Sequence, residues 1–153
     1  MPVLSRRRLS LRVWWPVFLW MAVIFIFSSD LFSASHTSSV IEPVVYALFP
    51  GIHQETVETV HEGTRKAGHV IEYLLLGLLL FRALRADSDL KWRYRWAVWT
   101  LLLVTGYAAS DEFHQSFVAS RTSSAFDVLI DAAGGLLAVI VMRIAALKSQ
   151  WRR

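Results

Sequence analysis

The chain has 153 residues, 55% of them hydrophobic, with a mean hydropathy of +0.43. That length suits one domain, and the hydropathy is high for a soluble one. It has no cysteine, which excludes disulfides, thiolate chemistry and cysteine-based zinc sites. The net charge of +4 does not point to nucleic acid, because the basic residues flank apolar runs instead of sharing a soluble face.

Apolar runs at about 13–32, 65–84, 94–112 and 125–147 predict four membrane-spanning helices. The first carries Pro16 near its start. Between the first and second, Val40, Ile41, Val44, Val45, Leu48 and Phe49 recur at helical spacing behind Ser38 and Ser39. Pro50-Gly51 ends that segment. It reads as an amphipathic helix lying on the outer leaflet or over the bundle mouth. From His53 the polar run extends the second helix outward. The second run is interrupted by His69, Glu72 and Arg82, and these polar side chains must face the bundle rather than lipid. The expected fold is all-α: an integral membrane bundle of four transmembrane helices, with the amphipathic external helix between helices 1 and 2. The whole chain, 1–153, forms one membrane domain.

Lys and Arg set the orientation. Thirteen of the 16 fall on one side: Arg6, Arg7, Arg8 and Arg12; Arg82, Arg85, Lys91, Arg93 and Arg95; and Arg143, Lys148, Arg152 and Arg153. Arg65, Lys66 and Arg121 fall on the other. The positive-inside rule then places both termini in the cytoplasm. Trp14, Trp15, Trp92, Trp96 and Trp151 gather at the same interface, where amphipathic rings settle. A competing reading takes Ser5-Arg6-Arg7-Arg8-Leu9 as a twin-arginine signal with cleavage at Ser33-Ala34-Ser35. Bulky aromatics in the first run, and three further spans, favour an anchor.

In this topology acids and histidines converge at one depth. Glu72 lies seven residues beyond Arg65, roughly 10 Å inward, and Asp131 about 9 Å into the fourth helix. Arg65, His69 and Glu72 share one helix face, and Asp111, His114 and Gln115 another. Asp127 and Asp131 are one turn apart on a third. Ionisable groups inside a membrane are costly and mark functional sites. His69, Glu72, Asp111 and Glu112 have the residue types for proton transfer. Asp127 and Asp131 are suited to a divalent cation. Structure offers a competing use: His69 with Glu72 as a packing pair, and the two aspartates paired with Arg65, Lys66 and Arg121. Gly134 and Gly135 follow a helix start too late to cradle phosphate, and fit close helix packing.

The blocks Arg65-Lys66-x-x-His69-x-x-Glu72-Tyr73 and Asp111-Glu112-x-His114-Gln115-x-Phe117, then Arg121, then Asp127, Asp131 and Gly134, resemble the VanZ-like family. Phe27-Ser28-Ser29 fits as well, so the resemblance covers nearly the whole chain. Asp131 stands where many relatives have asparagine, and Ala138 where a glycine often recurs. The resemblance implies a small, multi-pass protein of the bacterial cytoplasmic (inner) membrane. It also implies an association with glycopeptide (teicoplanin) resistance, but no settled reaction. Arg65, Lys66, Tyr73, His114, Gln115 and Arg121 become the expected ligand-binding set, and a membrane lipid, lipid-linked precursor or glycopeptide the expected ligand.

Three functions follow from these residues. The first is a binding module whose outward-facing polar site takes the head group of a lipid-like envelope molecule. The second is a membrane enzyme using metal-assisted or acid–base chemistry on a lipid-linked substrate. The third is a proton-coupled carrier. Neither an H-E-x-x-H zinc motif nor a G-x-S-x-G nucleophile elbow is present.

Overall fold

The computed structural model describes residues 11–29, 34–86, 88, 92–118 and 124–150. Among them the chain is all-α, with helices α1 (Leu11–Phe27), α2 (Ala34–Leu48), α3 (Gln54–Arg85), α4 (Tyr94–Gln115) and α5 (Ala125–Gln150). The Ser5–Leu9 segment, Leu31, Phe32, Ser33, Lys91, Arg121, Trp151, Arg152 and Arg153 lie outside the described residues.

The core follows from buried residues spaced three and four apart on facing helices. Val17, Ile24 and Ser28 lie on such a face at α1 and its end, and Tyr73, Leu76, Leu80 and Ala83 on α3. Ala97, Thr100, Val104, Ala108, Asp111 and Gln115 are the buried face of α4. Each face is apolar for most of its length. On α1 and α4 it turns polar at the same end, so the fold delivers Ser28, Asp111 and Gln115 to one place.

α3 is the hub, packing on α1, α4 and, most extensively, α5. Small residues on α5 allow this closeness. A methyl at Gly134 would come 2.6 Å from the Val70 carbonyl oxygen, and one at Gly135 would meet Val104 at 2.7 Å. Ala138 fits where it does because Gly77 of α3 faces it. In lipid, such packing replaces the hydrophobic drive that brings helices together in water. α1 and α4 stay further apart. Long side chains bridge them, with the Tyr107 hydroxyl donating to the Met21 carbonyl at 2.6 Å.

Large apolar side chains also cover the outside. Phe18, Leu19, Phe25 and Ile26 of α1, Trp99 and Leu102 of α4, and Leu136, Ile140 and Ile144 of α5 are exposed. Apolar surface on this scale needs a partner or a bilayer. By length and composition, α3 and α5 can each cross a membrane, while α1 is apolar but has only 17 residues. Long apolar helices thus mark a membrane protein. α4 has 22 residues and the length to span, but its polar C-terminal turns dilute its apolar content. At 32 residues α3 is about 48 Å long, well beyond the ~30 Å of hydrocarbon, so its polar N-terminal third projects from the apolar part.

The helix expected between the first two spans is present as α2. It begins at Ala34 rather than behind Ser38 and Ser39, and it holds Pro43 within it. It touches α3 only lightly, and Val44, Leu48 and Phe49 remain exposed. Gly51, with φ at +98°, adopts the left-handed conformation that turns the chain into α3.

Candidate functional site

Asp111 is the centre of the polar end. It lies on the buried face of α4, one turn beyond Ala108 and one before Gln115, and is 3% exposed. Its Oδ2 accepts from the Ser28 hydroxyl at 2.7 Å, the Gln115 amide at 3.0 Å and, more distantly, the Tyr73 hydroxyl at 3.4 Å. Donors from α4, α3 and the end of α1 therefore converge on one oxygen. Its other oxygen, Oδ1, is buried with no hydrogen-bond partner among the described residues. A buried acceptor left unmet is expensive, so Oδ1 calls for a donor beyond those that the described residues supply.

Beside it, the His69 Nδ1 lies 3.2 Å from Asp131 Oδ1, joining α3 to α5. Asp131 is 2% exposed and His69 largely buried. The spacing along α3 grouped His69 with Glu72; the hydrogen bond of the histidine runs across the bundle to Asp131. The Glu72 side chain is half-buried, and its backbone carbonyl accepts the Trp20 indole N–H at 2.9 Å.

Glu112 is engaged at the start of α5. One of its carboxylate oxygens accepts the Ser124 backbone N–H. Ser124 in turn caps the helix, its hydroxyl accepting the Phe126 N–H at 3.1 Å. A carboxylate at a helix N-terminus also opposes the helix dipole favourably. Asp127 is half-buried one turn before Asp131 on the same face. Among the described residues no three His, Asp or Glu side chains come together as a metal-ligand set.

The remaining sequence-derived residues divide. Tyr73 and Gln115 join Asp111 directly. His114 turns towards α1, its ring 4.4 Å from that of Phe25, and its Nδ1 is buried without a partner among the described residues. Lys66 pairs with Glu62 one turn earlier on α3, at 2.5 Å and in solvent. The lysine's hydrogen bond and charge hold the Glu62 carboxyl below the usual carboxylate range. Arg65 forms no ion pair among the described residues. Arg121 lies outside them. Ser28 was missed as a site residue. Its signal was its place on the α1 face set by Val17 and Ile24, four residues beyond the latter.

No curated protein and no solved structure matches the chain. The VanZ/LLP1 family profile matches residues 13–146, which take in most of α1 and α5, all of α2, α3 and α4, and every member of the Asp111 and Asp131 clusters. With its long apolar helices and its polar blocks gathered at one end of the bundle, the chain belongs to the VanZ/LLP1 family.

Proposed function

We propose that this protein is a membrane binding module whose polar end takes the head group of a lipid-like envelope ligand. The reading is supported above all by Asp111: a buried carboxylate oriented by Ser28, Gln115 and Tyr73 that keeps one oxygen unpartnered among the described residues. A preoriented acceptor of this kind suits a ligand bearing a hydroxyl, amine or ammonium group. The family's association with glycopeptide resistance makes an acylated glycopeptide or a cell-wall lipid precursor the ligand class. In this reading all four apolar helices span the bacterial cytoplasmic membrane. Both termini are cytoplasmic, and the Asp111 end faces outward.

The test is native mass spectrometry of the intact protein purified from its own membranes. Wild type should carry a lipid-like adduct that Asp111→Asn loses and Ser28→Ala weakens. Equal adducts on wild type and a folded Asp111→Asn variant would sink the reading.

One observation favours chemistry instead. His69 held by Asp131 at 3.2 Å is an imidazole oriented by a carboxylate, the arrangement of a general base. A membrane enzyme acting on a lipid-linked substrate would then lose turnover, while keeping its adduct, in His69→Gln.

A further inference from the structure

A cavity of about 500 Å³ opens at the end of the bundle away from Asp111. Its walls are Trp14 of α1, the last turn of α3 at Ala83, Leu84 and Arg85, and the first turns of α4 at Arg93, Arg95, Trp96 and Trp99. The described lining holds three arginines and three tryptophans, while Asp87 and Asp89 of the same connection lie outside the described residues. Asp111 lies 15 residues beyond Trp96 on α4, so the two ends are about 22 Å apart along the helix.

Two guanidinium groups at this end are held against tryptophan rings. The Arg93 guanidinium lies 5.6 Å from the Trp96 ring centroid, and Arg143 lies 5.3 Å from that of Trp92 behind the wall. None of the lining arginines forms an ion pair among the described residues. Among the described residues their N–H groups thus face the cavity with no carboxylate to meet them, and a ring face holds the Arg93 guanidinium in place. α4 opens here with no side-chain cap and no acid in its first turn, which adds the positive end of its dipole. The opposing carbonyls at the end of α3 are partly occupied, since Ala83 and Arg85 accept the Ala86 and Ser88 N–H groups.

We propose that this cavity binds the phosphate-bearing head group of an anionic membrane lipid. Guanidinium groups match phosphate oxygens in paired hydrogen bonds, and 500 Å³ is ample for a head group. The surroundings favour a lipid over a soluble phosphate. Trp14, Leu84 and Trp99 make half the lining apolar in character, and Trp99, Leu102 and Leu103 run down the exposed face of α4 from the cavity. That track lies where acyl chains would follow a head group into the bilayer. Tryptophans gather at this level, as they do where membrane meets water. The inference rests on the membrane reading but not on the Asp111 site.

The experiment is native mass spectrometry of the full chain released from detergent with added phosphatidylglycerol or phosphatidylcholine. Wild type should retain phosphatidylglycerol preferentially. Arg93→Gln and Arg95→Gln, both exposed positions, should each lower that retention roughly fivefold, and the combined change with Arg85→Gln further. Arg82→Gln removes an exposed charge from the same turn of α3 without touching the cavity, and should leave retention unchanged. Equal retention of the two lipids, or equal loss in Arg82→Gln, would overturn the proposal. Displacement of phosphatidylglycerol by inorganic phosphate would overturn the lipid as its source. Loss of the Asp111-dependent adduct leaves this result untouched, so the two sites fail separately.

Discussion

Asp111 and Arg93 stand near opposite ends of α4, and the fold treats their charges differently. Asp111 is buried and surrounded by donors from three parts of the chain. Arg93 is exposed and rests on a tryptophan ring, with no ion pair among the described residues. An acid drawn inside a bundle must find its hydrogen bonds in the protein or in a bound ligand, because bulk water is not there to supply them. A cation left at the membrane boundary finds them in water and lipid phosphate, and the protein need only orient it. The contrast separates an interior acid held by protein donors from an exposed cation held by a ring face.

The comparison breaks most visibly at Asp111. Asp111→Ala leaves three donors facing an empty space and should cost about 3 kcal/mol or more. A melt of the detergent-solubilised protein would measure it. A melting temperature equal to that of wild type would mean the donors are satisfied elsewhere.

A slightly smaller loss should come from Gly134→Ala. Its new methyl would press on the α3 backbone beside His69 and Tyr73, costing about 1–3 kcal/mol. Gly106, with open space around it, is the control: Gly106→Ala should gain about 0.5–1 kcal/mol from helix propensity. Identical shifts for the two variants would deny that α5 must approach α3 closely for the acid end to form.

Asp131→Asn keeps an acceptor for His69 and should cost about 1 kcal/mol, readable in the same melts. At the basic end, Arg93→Gln should stay within about 0.5 kcal/mol of wild type. A larger loss there would show that the arginine supports the fold and not only the rim.

The smallest effect belongs to Glu62. Its carboxyl is held low by Lys66, so any stability it adds is present above the usual carboxylate range and lost as pH falls through its lowered value. The pair is exposed, and surface pairs of this kind contribute little. Acid titrations of wild type and Glu62→Gln should superimpose. Divergence in mildly acid solution would make the outer part of α3 more important than its exposure implies.

Much of this architecture was legible in the chain alone. Apolar spacing and the Pro50-Gly51 break are local features, and they placed α1, α3, α4 and α5 and anticipated the helix between the first two. The polar N-terminal extension of α3 was legible in its run from His53. Gly134 and Gly135 were recognised as packing residues because glycines inside a helix have few other uses. The blocks around His69, Asp111 and Asp131 stood out in the sequence, since acids and histidines flanking apolar runs are rare.

Their partnerships were not legible. His69 has Glu72 one turn away along α3, yet it bonds Asp131 on α5. Glu112 reads as a companion of Asp111, yet it meets the start of α5. Ser28 entered only as part of the Phe27-Ser28-Ser29 resemblance, and its bond to Asp111 spans 83 positions of sequence. Composition and periodicity thus determined which stretches become helices and which of them are apolar enough for a bilayer. Which polar group meets which was decided only by the tertiary structure. A helix's own sequence sets the face a side chain occupies, but the rotation and approach of its neighbours, here set by Gly77, Gly134 and Gly135, determine what that face touches.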